Sequence, residues 1–218
     1  MANAPLHPLP AFHSKVIPVI VISHADQAVP LAHALLKGGI DVMEITLRHA
    51  AGLAAIERVS RAVPEMCVGA GTITQAHELA QVRSCGARFA LSPGLSSDLV
   101  LAAREAGLPY VPGVMTPSEA LQAKAWGHDL LKLFPAAQAG GLGMLKAMAG
   151  PLGDVRFCPT GGISPANLVE HLKQPNVALV GGSWITPLEW IEHQRWDDIT
   201  HLAQQATQLT QQAQADRV

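Results

Sequence analysis

The sequence predicts a single-domain α/β protein whose strands close into a (β/α)8 TIM barrel, and three observations predict it. Eight short apolar runs alternate with amphipathic helical stretches. The runs are apolar almost throughout, as parallel strands covered on both faces are. Gly86, Gly107 and Gly127 end successive helices about twenty residues apart, and the next apolar run follows each within two or three residues. An open doubly wound sheet usually carries a glycine-rich loop after its first strand, and Ile22-Ser23-His24-Ala25 has no glycine. A chain of 218 residues, 49% of them apolar, suits one barrel.

Residues 1–14 carry Pro5, Pro8 and Pro10 and form an expected N-terminal arm, loosely ordered, with a turn near Phe12. The barrel then occupies residues 15–218. Its first strand is the β-branched run 16–22; Ser23 or Asp26 caps a helix striped by Ala32, Leu35 and Leu36, and Gly38-Gly39 stops it. Strands over 42–46, 66–70 and 87–91 precede helices over 53–63, 75–84 and 98–106, and strands over 110–112, 130–134, 155–158 and 177–180 complete the eight. Thr116-Pro117-Ser118-Glu119 and Thr186-Pro187-Leu188-Glu189 each set a capping threonine, a proline at the first helical position and a glutamate three residues after the cap. A last helix over 199–209 carries a narrow stripe of Ile199, Leu202, Ala203, Ala206 and Leu209, after which the glutamines should fray into solvent.

Composition narrows the function. Fifteen Lys and Arg against 17 Asp and Glu give a net charge of −2 with no basic cluster, so neither a nucleic-acid nor a membrane partner is expected. The longest apolar run, residues 16–22, is too short to cross a bilayer. Cys67, Cys85 and Cys158 are odd in number and widely spaced, which fits reduced thiols in a cytoplasmic protein. No two of the ten histidines have helix-face spacing, so no metal site is expected. A charged fraction of only 15% hints at burial in an oligomer.

The chemistry gathers around the run Gly127 to Pro135, in which Lys132 is a lone cation in an apolar strand. Such a lysine needs a nearby anion, an escape to the surface, or the loss of its proton, and the last leaves a nucleophilic amine. In a βα barrel the reactive groups lie at the carboxyl ends of the strands. The second strand ends Glu44-Ile45-Thr46-Leu47-Arg48, and two-residue alternation turns Glu44, Thr46 and Arg48 to one side. An ion pair serving only structure explains this segment equally well. The third ends Gly69-Ala70-Gly71-Thr72, small enough for close approach to the backbone, and the fourth ends Ser92-Pro93-Gly94, where a plain turn competes with a site. After the last two strands come Thr160-Gly161-Gly162 and Gly181-Gly182-Ser183, where such barrels commonly hold a phosphate on bare backbone N–H groups. A strand amine, a carboxylate, an arginine and a phosphate loop on one rim favour Schiff-base chemistry on a phosphorylated keto-acid.

With Val19-Ile20-Val21, Glu44 to Arg48, Val68 to Thr72, Ser92-Pro93-Gly94, Lys132 to Ala136, Arg156 to Ser164 and Gly181 to Trp184 in order, the chain resembles the bacterial 2-keto-3-deoxy-6-phosphogluconate (KDPG) and 4-hydroxy-2-oxoglutarate (KHG) aldolases. The resemblance implies a homotrimer of (β/α)8 barrels that needs no cofactor or metal and cleaves the phosphorylated keto-acid to pyruvate and glyceraldehyde 3-phosphate in the Entner–Doudoroff pathway. It implies Lys132 as the Schiff-base lysine and Glu44 as the acid/base. Arg48, Thr72, Pro93, Phe134 and Thr160 would contact substrate, with Gly161, Gly162, Gly181, Gly182 and Ser183 around its phosphate. Ala137 stands where the family pattern has glutamate, which bears on loop contacts. The alternatives are the aldolase for the 2-keto-3-deoxy-6-phosphogalactonate epimer and a phosphate-binding barrel without catalysis.

Overall fold

The computed structural model describes residues 7–216, so Pro5 and the rest of the arm up to residue 6 lie outside the described residues. The strands are β1 (Val16–Ile20), β2 (Val42–Thr46), β3 (Cys67–Gly71), β4 (Ala90–Leu91), β5 (Tyr110–Val111), β6 (Gly113–Val114), β7 (Leu130–Leu133), β8 (Arg156–Pro159) and β9 (Val180–Gly182). Helices intervene between nearly all of them, and every strand pairing is parallel. The result is a parallel α/β fold with a curled sheet.

The ladders form two sheets rather than the one continuous eight-stranded sheet expected, in the orders β5-β4-β3-β2-β1-β9 and β6-β7-β8. Each seam has a local cause. The fifth run, expected as one strand over 110–112, is split into β5 and β6 by Pro112, which has no N–H to give a ladder. Its carbonyl still accepts from the Lys132 N–H at 2.9 Å, so β7 stays in step with the broken strand. At the other seam, Ala178 N–H donates to Phe157 C=O (3.0 Å), and Val180 N–H donates to Lys15 C=O (2.9 Å). The chain therefore leaves β8 before it joins β1, and only single parallel bridges, Phe157 to Val177 and Thr160 to Gly181, span that gap.

The capping box at Thr116 forms as expected: Thr116 Oγ1 accepts from Glu119 N–H (3.3 Å) and Glu119 accepts from Thr116 N–H (2.8 Å). The matching sequence at Thr186 does not. Pro187 is the N-cap of a short helix, Leu188–Glu192, and Thr186 Oγ1 is buried without a partner. The C-terminal helix is longer than expected, running Trp196–Ala215 through the glutamines. Thr210 and Ala213 extend its buried stripe, and Lys173 pairs with Asp216 at 2.7 Å, so the last turns are held. It packs on the helix Ala28–Lys37: Ala203 fills the space a side chain at Gly38 would need, and Thr200 and Thr207 donate to Ala34 and Gly38 carbonyls.

The described part of the arm, residues 7–14, adopts no regular element but is fastened. His13 N–H and Nδ1 meet Asp41 Oδ2 at 2.8 and 2.9 Å, and Ser14 N–H donates to Oδ1 at 3.0 Å. Burial pushes the Asp41 carboxyl up, but these hydrogen bonds outweigh it and hold the group below its ordinary value. Phe12 then lies against Phe89, ring centroids 6.3 Å apart. Phe89 is itself fully buried, in space that a side chain at Gly69 would occupy. Among the described residues no helix is long and apolar enough to cross a membrane.

Candidate active site

Lys132 lies in β7 and Glu44 in β2, 88 positions apart in sequence and in different sheets, yet Lys132 Nζ donates to Glu44 Oε1 at 3.0 Å. Both side chains therefore point to the interior enclosed by the curled sheets, with 5% and 1% of their surfaces exposed. Of the three outcomes open to a strand lysine, the structure takes the first, a nearby anion. Glu44 Oε2 is buried without a hydrogen-bond partner, so the carboxylate keeps a free oxygen beside the amine.

Local sequence makes room for this pair. A Cβ on Gly71 would come within 2.0 Å of Glu44 Oε1, so only glycine at that point of β3 lets the carboxylate lie across it. Thr46, on the same side of β2, is not available to a ligand: its Oγ1 donates to Ile20 C=O at 2.8 Å and it is fully buried. Cys158 is the β8 neighbour of Lys132 in register, and burial pushes its thiol up to about 12. It stays protonated and is a poor nucleophile there.

Beside the pair opens a cavity of about 430 Å³, walled by Arg48, Phe134, Thr160, Gly161, Gly162, Gly181 and Ser183, with Thr186 among its other lining residues. The Phe134 ring connects cavity and amine, its centroid 5.3 Å from Lys132 Nζ. Gly161 and Gly162 have φ of 96° and 81°, a left-handed pair that turns the chain sharply out of β8. The helix Pro165–Leu172 follows, where Asn167 accepts from Ser164 N–H at 2.9 Å. Gly181 is needed for another reason: a Cβ there would lie 2.2 Å from Thr160 Oγ1.

Seven of the expected site residues thus meet in one cavity, and three others take different positions. Thr72, held at φ 61°, accepts from Arg48 Nε at 3.4 Å and orients the guanidinium. Pro93 backs onto Gly113, whose missing side chain would meet the Pro93 carbonyl at 2.5 Å. Gly182 does not line the cavity: the Trp184 ring covers it, 1.8 Å from where its Cβ would stand. Val19, Val21, Ile163, Thr186, Pro187 and Leu188 also line the cavity, and all of these but Thr186 carried no chemical signal of their own. For Thr186 a signal existed, its place in the loop after the eighth apolar run, but the cap-like sequence pointed to another use.

A family model described as KDPG and KHG aldolase matches residues 11–202. The chain belongs to this aldolase family. Among the family's members, a 2-dehydro-3-deoxy-phosphogluconate aldolase of Pseudoalteromonas atlantica is 48% identical over 191 residues, 88% of this chain and 89% of that protein. A KHG/KDPG aldolase of Escherichia coli is 46% identical over 193 residues, 88% of this chain and 91% of its own. The KDPG aldolase of Legionella pneumophila, solved with pyruvate captured as a covalent carbinolamine intermediate, superposes with a TM-score of 0.85 at 46% identity, covering 88% and 93% of the two chains. Ala137, at the position where the resemblance leads us to expect glutamate, donates its N–H to Gly161 C=O (3.0 Å), and its Cβ lies 2.4 Å from where a Cβ on Gly162 would stand. The departure therefore touches the glycine turn and not the Lys132–Glu44 pair.

Proposed function

We propose that this protein is a class I aldolase that cleaves 2-keto-3-deoxy-6-phosphogluconate to pyruvate and glyceraldehyde 3-phosphate, and that it acts on 4-hydroxy-2-oxoglutarate by the same chemistry. The observation that carries the reading is the buried amine of Lys132 within 3.0 Å of Glu44, beside a cavity floored by the Gly161-Gly162 turn. Membership of the aldolase family and the carbinolamine held by the Legionella relative support it.

In this reading Glu44 takes a proton from Lys132, and the free amine attacks the keto carbon to give a carbinolamine. Glu44 returns a proton to the departing hydroxyl, water leaves, and an iminium forms on Nζ. The bond between C3 and C4 then breaks. Its electron pair moves into the enamine, while the C4 hydroxyl loses its proton to Glu44 or a water beside it and becomes the aldehyde of glyceraldehyde 3-phosphate. Protonation of the enamine at C3 and hydrolysis of the imine release pyruvate and restore Lys132. Arg48, steadied by Thr72, pairs with the substrate carboxylate, and Pro93 borders the same end. Phe134 and Thr160 flank the carbon chain. Gly161, Gly162, Gly181 and Ser183 receive the phosphate on backbone N–H groups and a hydroxyl, with Gly182 shaping that loop under Trp184.

The same proposal takes residues 15–218 as one domain with residues 1–14 as its arm. It reads the two sheets as one (β/α)8 barrel, since Pro112 and the single bridges at β8 account for the seams. It expects a homotrimer in the cytoplasm, where the three free cysteines stay reduced. The test is turnover of the phosphorylated keto-acid by Lys132→Arg, which keeps the charge but cannot form the imine. Loss of turnover with an unchanged circular dichroism spectrum supports the reading, and substantial residual turnover refutes it.

A further inference from the structure

At the end of the strands opposite the glycine loops lies a second, larger cavity, of about 530 Å³. Its walls come from the amino ends of the strands. Lys15 precedes β1, Tyr110 opens β5, Leu130 and Arg156 open β7 and β8, and residues 7–9 of the arm close one side. In βα barrels this end ordinarily serves stability and not chemistry, so a plain packing gap between arm and barrel is the alternative to be beaten.

We propose that this cavity is a binding site, separate from the Lys132 site, for a small organic anion that also carries hydroxyl groups. Lys15 and Arg156 both line it, and both also line an adjoining cavity of about 220 Å³. Among the described residues neither side chain makes an ion pair or a hydrogen bond, although the Asp129 carboxylate lines the same cavity. Lys15 is partly exposed and Arg156 is exposed, so both are hydrated when the cavity is empty, and an anion drawn between them would be held by charge-assisted hydrogen bonds.

The opposite chemistry is supplied by His128 and Asp129. His128 is only 5% exposed; its ring is bonded to the Tyr110 backbone and stands edge-on to the Tyr110 ring, and its Nε2 has no partner. Burial, and then the nearby Arg104 guanidinium, push the imidazole down to about 4, so at neutral pH it is uncharged and Nε2 is an acceptor. The Asp129 carboxylate is a second acceptor. Two cationic donors with two acceptors match a ligand with an anionic head and hydroxyl donors, and the volume suits a small metabolite. A packing gap would require none of these four groups.

The test uses the full chain and the ring ¹⁵N and ¹H resonances of His128, identified by their loss in His128→Asn. Titrations with sn-glycerol 3-phosphate and with glycerate compare a phosphate with a carboxylate as the anionic head. A saturable shift of the His128 resonances with at least one of them is expected, weakened about tenfold or more in Lys15→Ala/Arg156→Ala. Should that double variant fold poorly, Arg156→Gln, altered only at an exposed side chain, gives the same comparison. No saturable shift with either compound, or an equal affinity in the variants, would overturn the proposal.

Discussion

Removing either member of the Lys132–Glu44 pair should destabilise the fold far more than its small loss of contact area would. The two side chains are 5% and 1% exposed and 3.0 Å apart, so Lys132→Met leaves a carboxylate, and Glu44→Gln an ammonium group, buried without its counter-charge. Breaking a buried pair from one side costs about 3–5 kcal/mol, whereas removing both charges together is often close to neutral. The double variant Lys132→Met/Glu44→Gln should therefore be more stable than the sum of the singles implies, with a coupling of about 3 kcal/mol or more. The assay is urea unfolding of all four proteins, followed by far-UV circular dichroism and by tryptophan fluorescence to check that one transition is observed. If the single costs add to within about 0.5 kcal/mol, the two groups do not share a charge and the account of the site is wrong.

Gly71→Ala should reduce turnover about a hundredfold and cost about 1–3 kcal/mol, because the new methyl group would stand where Glu44 Oε1 lies; activity and unfolding assays check both. Gly162→Ala should cost about 1–2 kcal/mol and raise KM for the phosphorylated substrate, since φ is 81° there and Ala137 blocks the added carbon, while imine formation with pyruvate should be little changed. His128 gives a pH dependence. Its folded value, about 4, is below the ordinary 6.5, so the unfolded chain binds the proton first. Stability is unaffected above pH 6.5 and falls as pH drops from 6.5 to 4, by about 3 kcal/mol at most. His128→Phe should flatten that slope in urea unfolding across the range.

Much of the site was legible because its residues are chemically conspicuous. A lysine in an apolar strand, a glutamate and arginine two turns of the pleat apart, and paired glycines after late strands are each unusual enough to notice. Distance was not legible: nothing local to Glu44 or Lys132 says that β2 and β7 face each other across the interior, and Gly71 acquires its meaning only once Glu44 lies over it. Helix and strand order followed the periodicity, with β2 falling where expected at Val42–Thr46. The misses were cases where one residue overrode a pattern. Pro112 split a strand, Pro187 displaced the Thr186 cap, and Thr210 with Ala213 carried the last helix past its apparent stripe. Gly182 had the right composition for a phosphate loop, but the Trp184 ring two residues on takes that space.

The central claim is that Lys132 forms a covalent imine, and incubation with pyruvate followed by borohydride reduction and peptide mass spectrometry tests it most directly. The account predicts one added pyruvyl group per chain, carried on the peptide containing Lys132 and missing in Lys132→Arg. An unmodified Lys132 peptide, or the adduct on another lysine, would contradict it.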